Sequence, residues 1–487
     1  MKNIPEYVEI IVPIIYILVL AYTIGRILLD TSSTPKTLAY ILLVLVLPLV
    51  GIIFYFSFGI NYRHHKSTKK IEASLKKLDN EYKKNVKDET LTLIKDNPDT
   101  FKQYDELANF IYHLSGEILG RNSFKLLING EEKFPEVLRT LQTAKHYIHM
   151  EYYDWENDTR GNQIKDILLE KAKAGVQVRV MYDAYASKGI KRNIVKELKA
   201  GGVEIHPVIK VRLIMFANTM NHRDHRKVII IDGHTGFVGG INISDRYDNS
   251  IDTGLYWRDT HVRIQGTTVL NLQRHFIVNW NACQPKQLGY EKDLFPESTY
   301  SENTHKTLAQ VVPGGPIYPM SNIMLSYHRI FTLAREKLYI TNPYFIPNES
   351  ILDALKQAAI SGVDVRLIMP KKSDSAVVGA ASKFYYRELL HAGVKIYLYR
   401  KGFVHAKTVV SDTQLSVVGT ANMDIRSFDL NFEMMSVIYE HNFATHLEKA
   451  FIDDLKECDE LNYTEWIKLG TTKKLTYAIA RLISAVL

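Results

Sequence analysis

Residues 225–232 read HRKVIIID and residues 405–412 read HAKTVVSD. Each stretch opens on a histidine and a lysine two apart, runs through β-branched residues and closes on an aspartate. The apolar middle predicts a strand buried on both faces, as in the sheet of an α/β domain. Residues two apart on a strand share a face, so His225 and Lys227 are expected to point the same way, as are His405 and Lys407. Asp232 and Asp412 lie at odd spacing from their histidines. They would face the other side of a regular strand and are expected to hold the motif in place.

Working outward, the surroundings of the two stretches repeat as well. Upstream of the first lie AKHYIHMEYY (144–153), AGVQVRVMYD (174–183) and LKAGGVEIHPV (198–208). Upstream of the second lie AREKLYITNPYF (334–345), SGVDVRLIMP (361–370) and LLHAGVKIYLY (389–399), in the same order. Downstream come Gly239, Gly240 and Asn242 in one copy and Gly419 and Asn422 in the other, each Asn seventeen residues after its histidine. Short β-branched runs alternating with helical pattern predict two repeated α/β domains, over 119–290 and 306–458. Packed about a pseudo-two-fold axis, they would bring both His/Lys/Asn sets to one interface.

Two lysines and two asparagines around two histidines suit a single anionic tetrahedral group, a phosphodiester. One imidazole can attack phosphorus to form a phosphohistidine. The other can protonate the departing alcohol and deprotonate the incoming one. The candidate catalytic set is therefore His225, Lys227, Asp232, His405, Lys407 and Asp412, with Asn242 and Asn422 on the phosphate. Asp259, in YWRDTHVRI (256–264), and Glu433, in RSFDLNFE (426–433), are the candidate histidine-orienting carboxylates. Each lies downstream of a motif, where a following strand could return it to that motif's histidine. The scheme requires no metal and no cofactor. No HExxH or C-x-x-C occurs, the His222/His225 spacing is not repeated in the second copy, and His64–His65 sits in a basic flank. No Gly-Lys-Ser/Thr marks a phosphate-binding loop.

The 487 residues carry 61 Lys and Arg against 53 Asp and Glu, a basic balance that favours nucleic acid or an anionic membrane surface. The N-terminus favours the membrane. No charge occurs from Ile10 to Gly25 or from Thr37 to Tyr62, and each run is about long enough to cross a ~30 Å hydrocarbon core. Residues 1–62 are thus expected to be an anchor with two transmembrane helices, about 8–29 and 37–60. No small-residue cleavage site follows the first run, as a secretory signal would need. The dense positive charge of NYRHHKSTKK (61–70) places that flank and everything after it in the cytoplasm. Residues 63–118 read as a basic amphipathic linker, and 459–487 as an amphipathic segment that either lies on the membrane or docks on the protein's own surface. The two cysteines, Cys283 and Cys458, are too few and too far apart for a disulfide framework.

The paired H-x-K-x4-D motifs resemble those of the phospholipase D superfamily. LPLVGIIFYFSFG (47–59), GGINISDRY (239–247), YWRDTHVRI, GTANMDIRS (419–427) and FDLNFE (428–433) resemble the bacterial cardiolipin synthases within it. The resemblance covers nearly the whole chain. It implies transfer of a phosphatidyl group between two phosphatidylglycerol molecules at the inner face of a bacterial cell membrane, with release of glycerol. It also implies that His225 is the nucleophile and His405 the acid and base. Phosphatidylglycerol and anionic membrane lipids are then the partners, and nucleic acid is not. The same motifs serve hydrolytic phospholipases D and other phosphatidyltransferases, which leaves those readings open.

Overall fold

A computed structural model describes residues 6–31, 34–59, 66–86, 88–208, 223–284, 286–297 and 306–484. His222 and His64–His65 lie outside them. The described residues divide into a small N-terminal unit, up to Lys69, and a large body that takes in the rest.

In the N-terminal unit, Glu6–Asp30 forms one apolar helix of 25 residues with Pro13 inside it. This helix is long and apolar enough to cross a membrane. The second apolar run departs from the expected single span over 37–60. It forms a helix over Thr34–Val46, breaks at Leu47, and resumes at Pro48–Phe54 and Tyr55–Gly59. Pro48 is the cause: it lacks the N–H that would continue the ladder and stands in the first turn of the new helix. The bend is sharp enough that a β-carbon on Gly51 would lie 2.6 Å from the α-carbon of Val44. Thirteen residues of helix rise only ~20 Å, so the 34–46 helix is shorter than a hydrocarbon core. Inside this unit Arg26 pairs with Asp30 at 2.7 Å, and the Tyr55 hydroxyl donates to Asp30 at 3.1 Å.

Among the described residues, the body is built on one sheet of 15 strands. From one edge the order is Glu204–Pro207, Gln177–Tyr182, Tyr147–Tyr152, Lys227–Ile231, Thr235–Gly239, Thr260–Gly266, Gly120–Ile128, then Thr307–Gly314, Glu433–Tyr439, Leu415–Gly419, Thr408–Ser411, Lys337–Thr341, Asp364–Pro370, Lys395–Tyr399 and Cys458–Glu460. The first seven strands and the next seven are mirror-ordered copies, one from each repeat. They join at the centre, where Gly120–Ile128 and Thr307–Gly314 pair antiparallel, Gly120 opposite Ala309.

The motif strands are covered on both faces, which is why their middles are continuously apolar. Ile229 and Ile231 pack into the core under helices Asn129–Gln142, Thr159–Lys173 and Ile194–Ala200. Val228 and Ile230 face the opposite core, which runs beneath both repeats and takes in Val410 and Val418 as well as helices Thr267–Cys283 and His441–Leu455. Part of the segment expected as a linker belongs to this body: Leu78, Tyr82, Phe101, Tyr104 and Ile111 are all buried. Their apolar spacing is that of packed helices rather than of a free tether. The C-terminal helix Thr471–Ser484 docks on helix Ala376–His391, with Ala480 buried against Ala381.

Asp232 and Asp412 end their strands in left-handed backbone conformation, at φ 51° and 52°, a region that short polar side chains tolerate. The Asp232 carboxylate accepts the backbone N–H groups of Lys145, His146 and Tyr147 at 2.7–2.8 Å. Asp412 accepts those of Arg335, Glu336 and Lys337 at 2.8–3.0 Å and the Tyr104 hydroxyl at 3.1 Å. Each therefore clamps the start of the neighbouring strand, at the end of its own strand away from the histidine. Asp232→Ala or Asp412→Ala frees three N–H donors and is expected to cost about 2 kcal/mol or more. Thermal unfolding should show a lower midpoint for both variants; a midpoint equal to the parent's would contradict this role.

Candidate active site

Each histidine is stitched by its backbone to the opposite repeat. Gly402–Val404, just before His405, pairs in parallel with Tyr256–Arg258, and the His405 N–H donates to the Arg258 carbonyl at 2.7 Å. On the mirrored side Asp224 bridges Phe432, and the His225 N–H donates to the Phe432 carbonyl at 2.9 Å. The residue after Arg258 is Asp259, and the residue after Phe432 is Glu433. The carboxylates consequently cross over. Nδ1 of His405 lies 2.7 Å from Asp259, and Nδ1 of His225 lies 3.0 Å from Glu433. Return of each carboxylate to its own repeat's histidine, the expectation from sequence, is corrected: a short strand bridge to the other repeat sets the pairing.

With Nδ1 committed to a carboxylate, each ring keeps Nε2 for chemistry. Both rings are nearly buried, at 8% exposure for His225 and 5% for His405. Lys227 and Lys407 are fully buried, and each ammonium donates to the carbonyl oxygen of its own histidine, leaving further N–H donors for an anion. The two half-sites share one electrostatic environment. Burial lowers the His225 pKa, against the pull of Glu433, and both lysines lower it further. Burial, both lysines and His225 hold His405 well below the usual imidazole value. Burial also lowers Lys227 to about 8 and Lys407 to about 7.

The carboxylates differ. Burial opposes ionisation of Glu433, but His225, Lys227 and a hydrogen bond from Thr420 hold it below the usual carboxylate range. Burial raises Asp259 to about 6, although Lys407 and the Thr260 N–H oppose the rise. Thr420 has no counterpart in the first repeat, where Gly240 stands in its place. A β-carbon at Gly240 would sit 2.1 Å from the Asp259 carboxylate, so the carboxylate occupies that space.

Asn242 and Asn422 are buried, and the side-chain oxygen of each has no partner among the described residues. Asn242 donates to the Tyr247 hydroxyl at 2.6 Å, and the Tyr247 ring lies 5.7 Å from His405. A half-turn of either amide exchanges its ends and presents N–H to an anion. Asp232 and Asp412 are not brought to the histidines. Sequence reasoning missed Thr420, legible in the contrast of GTAN with GGIN. It also missed Lys133, which donates to the Asn242 carbonyl at 3.3 Å from a helix with no motif to mark it. The aromatic wall around His405 (Tyr247, Trp257, Tyr344 and Phe403) was missed too.

A family model described as "Cardiolipin synthase, PLD-like domain" matches residues 137–277 and 327–455, one match per repeat. The chain is 38% identical over 473 residues to a "Cardiolipin synthase 2" of Bacillus anthracis, covering 96% of this chain and 90% of that one. It is 38% identical over 461 residues to a "Cardiolipin synthase" of Geobacillus sp. (strain WCH70), covering 94% and 90%. Among solved structures, the phosphatidylserine synthase of Haemophilus influenzae superposes with a TM-score of 0.58 at 14% identity, over 78% of this chain and 100% of that one, and shares the fold. The chain belongs to the cardiolipin synthase family of phospholipase D-like enzymes.

Proposed function

We propose that the chain transfers a phosphatidyl group from one phosphatidylglycerol to a hydroxyl of a second, giving cardiolipin and free glycerol. The observation that carries this is the pair of imidazoles, each with Nδ1 on a buried carboxylate from the opposite repeat, beside two buried lysines. Nε2 of His225 attacks phosphorus, the bond from phosphorus to the glycerol oxygen breaks, and His405 gives that oxygen a proton. The acceptor hydroxyl then returns a proton to His405 as its oxygen attacks phosphorus and the P–N bond breaks. Lys227, Lys407, Asn242 and Asn422 hold the non-bridging oxygens. The phosphohistidine ring is cationic while it lasts, which suits His225, whose carboxylate partner stays ionised.

The charge balance supports the scheme. Two lysines and two carboxylates sum to zero in the empty site, and burial together with both lysines pushes both imidazoles toward the neutral form. A phosphodiester brings one negative charge, and one protonated imidazole restores the balance. Exchange of one phosphodiester for another is near neutral in energy, so the residues described need no nucleotide to drive it.

The apolar N-terminal segments support attachment to the bilayer, and the positive charge of the stretch 61–70 supports a cytoplasmic catalytic body. A C-terminal reporter active only in the cytoplasm should report activity; a reporter active only outside would overturn the orientation.

Incubation of the purified protein with phosphatidylglycerol alone should yield cardiolipin and glycerol in equal amounts. Phosphatidic acid as the main product would make the chain a hydrolase. The free-enzyme profile of kcat/KM should fall below about pH 6, as Asp259 gains a proton. It should fall again above about 7 to 8, as Lys407 and then Lys227 lose theirs. Arginine stays charged throughout, so Lys407→Arg should move the alkaline limb upward. An unmoved limb would remove Lys407 from the titration.

A further inference from the structure

The C-terminal helix Thr471–Ser484 carries two apolar faces. One packs inward through Ala480, and Arg481 lies over the Phe384 ring at 4.2 Å. The other holds Leu475, Ile479 and Leu482, exposed at 58%, 47% and 65%. Spacings of four and three put these on one stripe; Lys474 stands to the side of it and Lys473 on the opposite face of the helix. An outward apolar stripe on a helix whose lysines lie off the stripe is the pattern of a helix lying in a membrane interface.

Behind this helix is a cavity of about 490 Å³, between it, Tyr463–Trp466 and helix Ala376–His391. Its walls include Lys383, Arg387 and Lys474 together with Tyr463, Trp466 and Tyr477. None of the three cations meets a carboxylate among the described residues. Lys383 lies 5.9 Å from the Tyr477 ring, and Lys474 donates to the Ile467 carbonyl at 2.9 Å. The lining carboxylate, Glu388, is paired with Lys356. A cavity with surplus positive charge, aromatic walls and an interfacial helix at its side matches an anionic amphiphile. Its volume takes a head group and the first carbons of its chains, more than a free phosphate ester fills.

We propose that this cavity is a second, non-catalytic site for an anionic phospholipid. The lipid class is that of the reaction proposed above, and none of the catalytic residues is used. The helix Ala376–His391 links the two places. Just before its start, Asp374 accepts the hydroxyl of Tyr344, whose ring lies 6.4 Å from His405. Arg387 stands eleven residues beyond Ala376, about 16 Å along the axis. A lipid held there fixes the second repeat against the bilayer next to its active site.

The test uses the full-length His405→Ala protein, which cannot turn the probe over, in phosphatidylcholine vesicles. Brominated acyl chains are placed on either phosphatidylglycerol or phosphatidylcholine at equal mole fraction. The Trp466 contribution to the fluorescence is obtained by difference from Trp466→Phe. Brominated phosphatidylglycerol should quench it at least threefold more than brominated phosphatidylcholine. The preference should vanish in K383Q/R387Q and persist when glycerol 3-phosphate is added at the concentration of the lipid. Equal quenching by the two lipids, or a preference that survives K383Q/R387Q, would overturn the proposal. Loss of the preference on adding glycerol 3-phosphate would overturn it too, in favour of a soluble phosphate ester. Because quenching needs no turnover, these outcomes are separate from failure of the cardiolipin assay.

Discussion

The crossed pairing of histidine and carboxylate is the constraint on which the rest of the structure depends. His225 reaches Glu433, and His405 reaches Asp259, only across the pseudo-two-fold. Neither repeat holds a complete oriented imidazole by itself. The joined central strands, the bridges at Phe432 and Arg258, and the shared core beneath both halves all serve to keep the two crossings in register. A single continuous sheet is a stiff way to meet that demand, because sliding one half against the other would break backbone pairing as well as side-chain contacts.

Burying two lysines and two carboxylates is costly unless each finds a partner. Here the four charges offset one another, and burial with the two lysines disfavours charging of either imidazole. The asymmetry between the halves lies in small things: Thr420 beside Glu433 against Gly240 beside Asp259. Beyond these, His225 and Lys227 hold Glu433 below the usual carboxylate range, while burial raises Asp259 to about 6.

Much of this was legible in HRKVIIID and HAKTVVSD. The apolar middles marked strands covered on both faces, the duplicated spacing marked the repeat, and the odd position of Asp232 and Asp412 marked them as supports. The crossing was not legible, because it depends on three-dimensional bridges at Phe432 and Arg258 that no local pattern encodes. The break at Leu47 is not legible in hydropathy, which is blind to whether a proline bends a helix or interrupts it. Between Lys66 and Ser115 the amphipathic pattern in the sequence fits helices or a tether equally, because the lysines outnumber the few aromatic residues, Tyr82, Phe101 and Tyr104, that anchor these helices in the body.

The most direct measurement follows phosphorus-labelled phosphatidylglycerol through a single turnover, with rapid denaturation and mapping of the labelled residue. The account places the label on His225. It also requires that Glu433→Gln, a change in the other repeat, slow the appearance of the label by at least tenfold while His225 itself is untouched. Label on His405, or label appearing on His225 at the parent rate in Glu433→Gln, would contradict it.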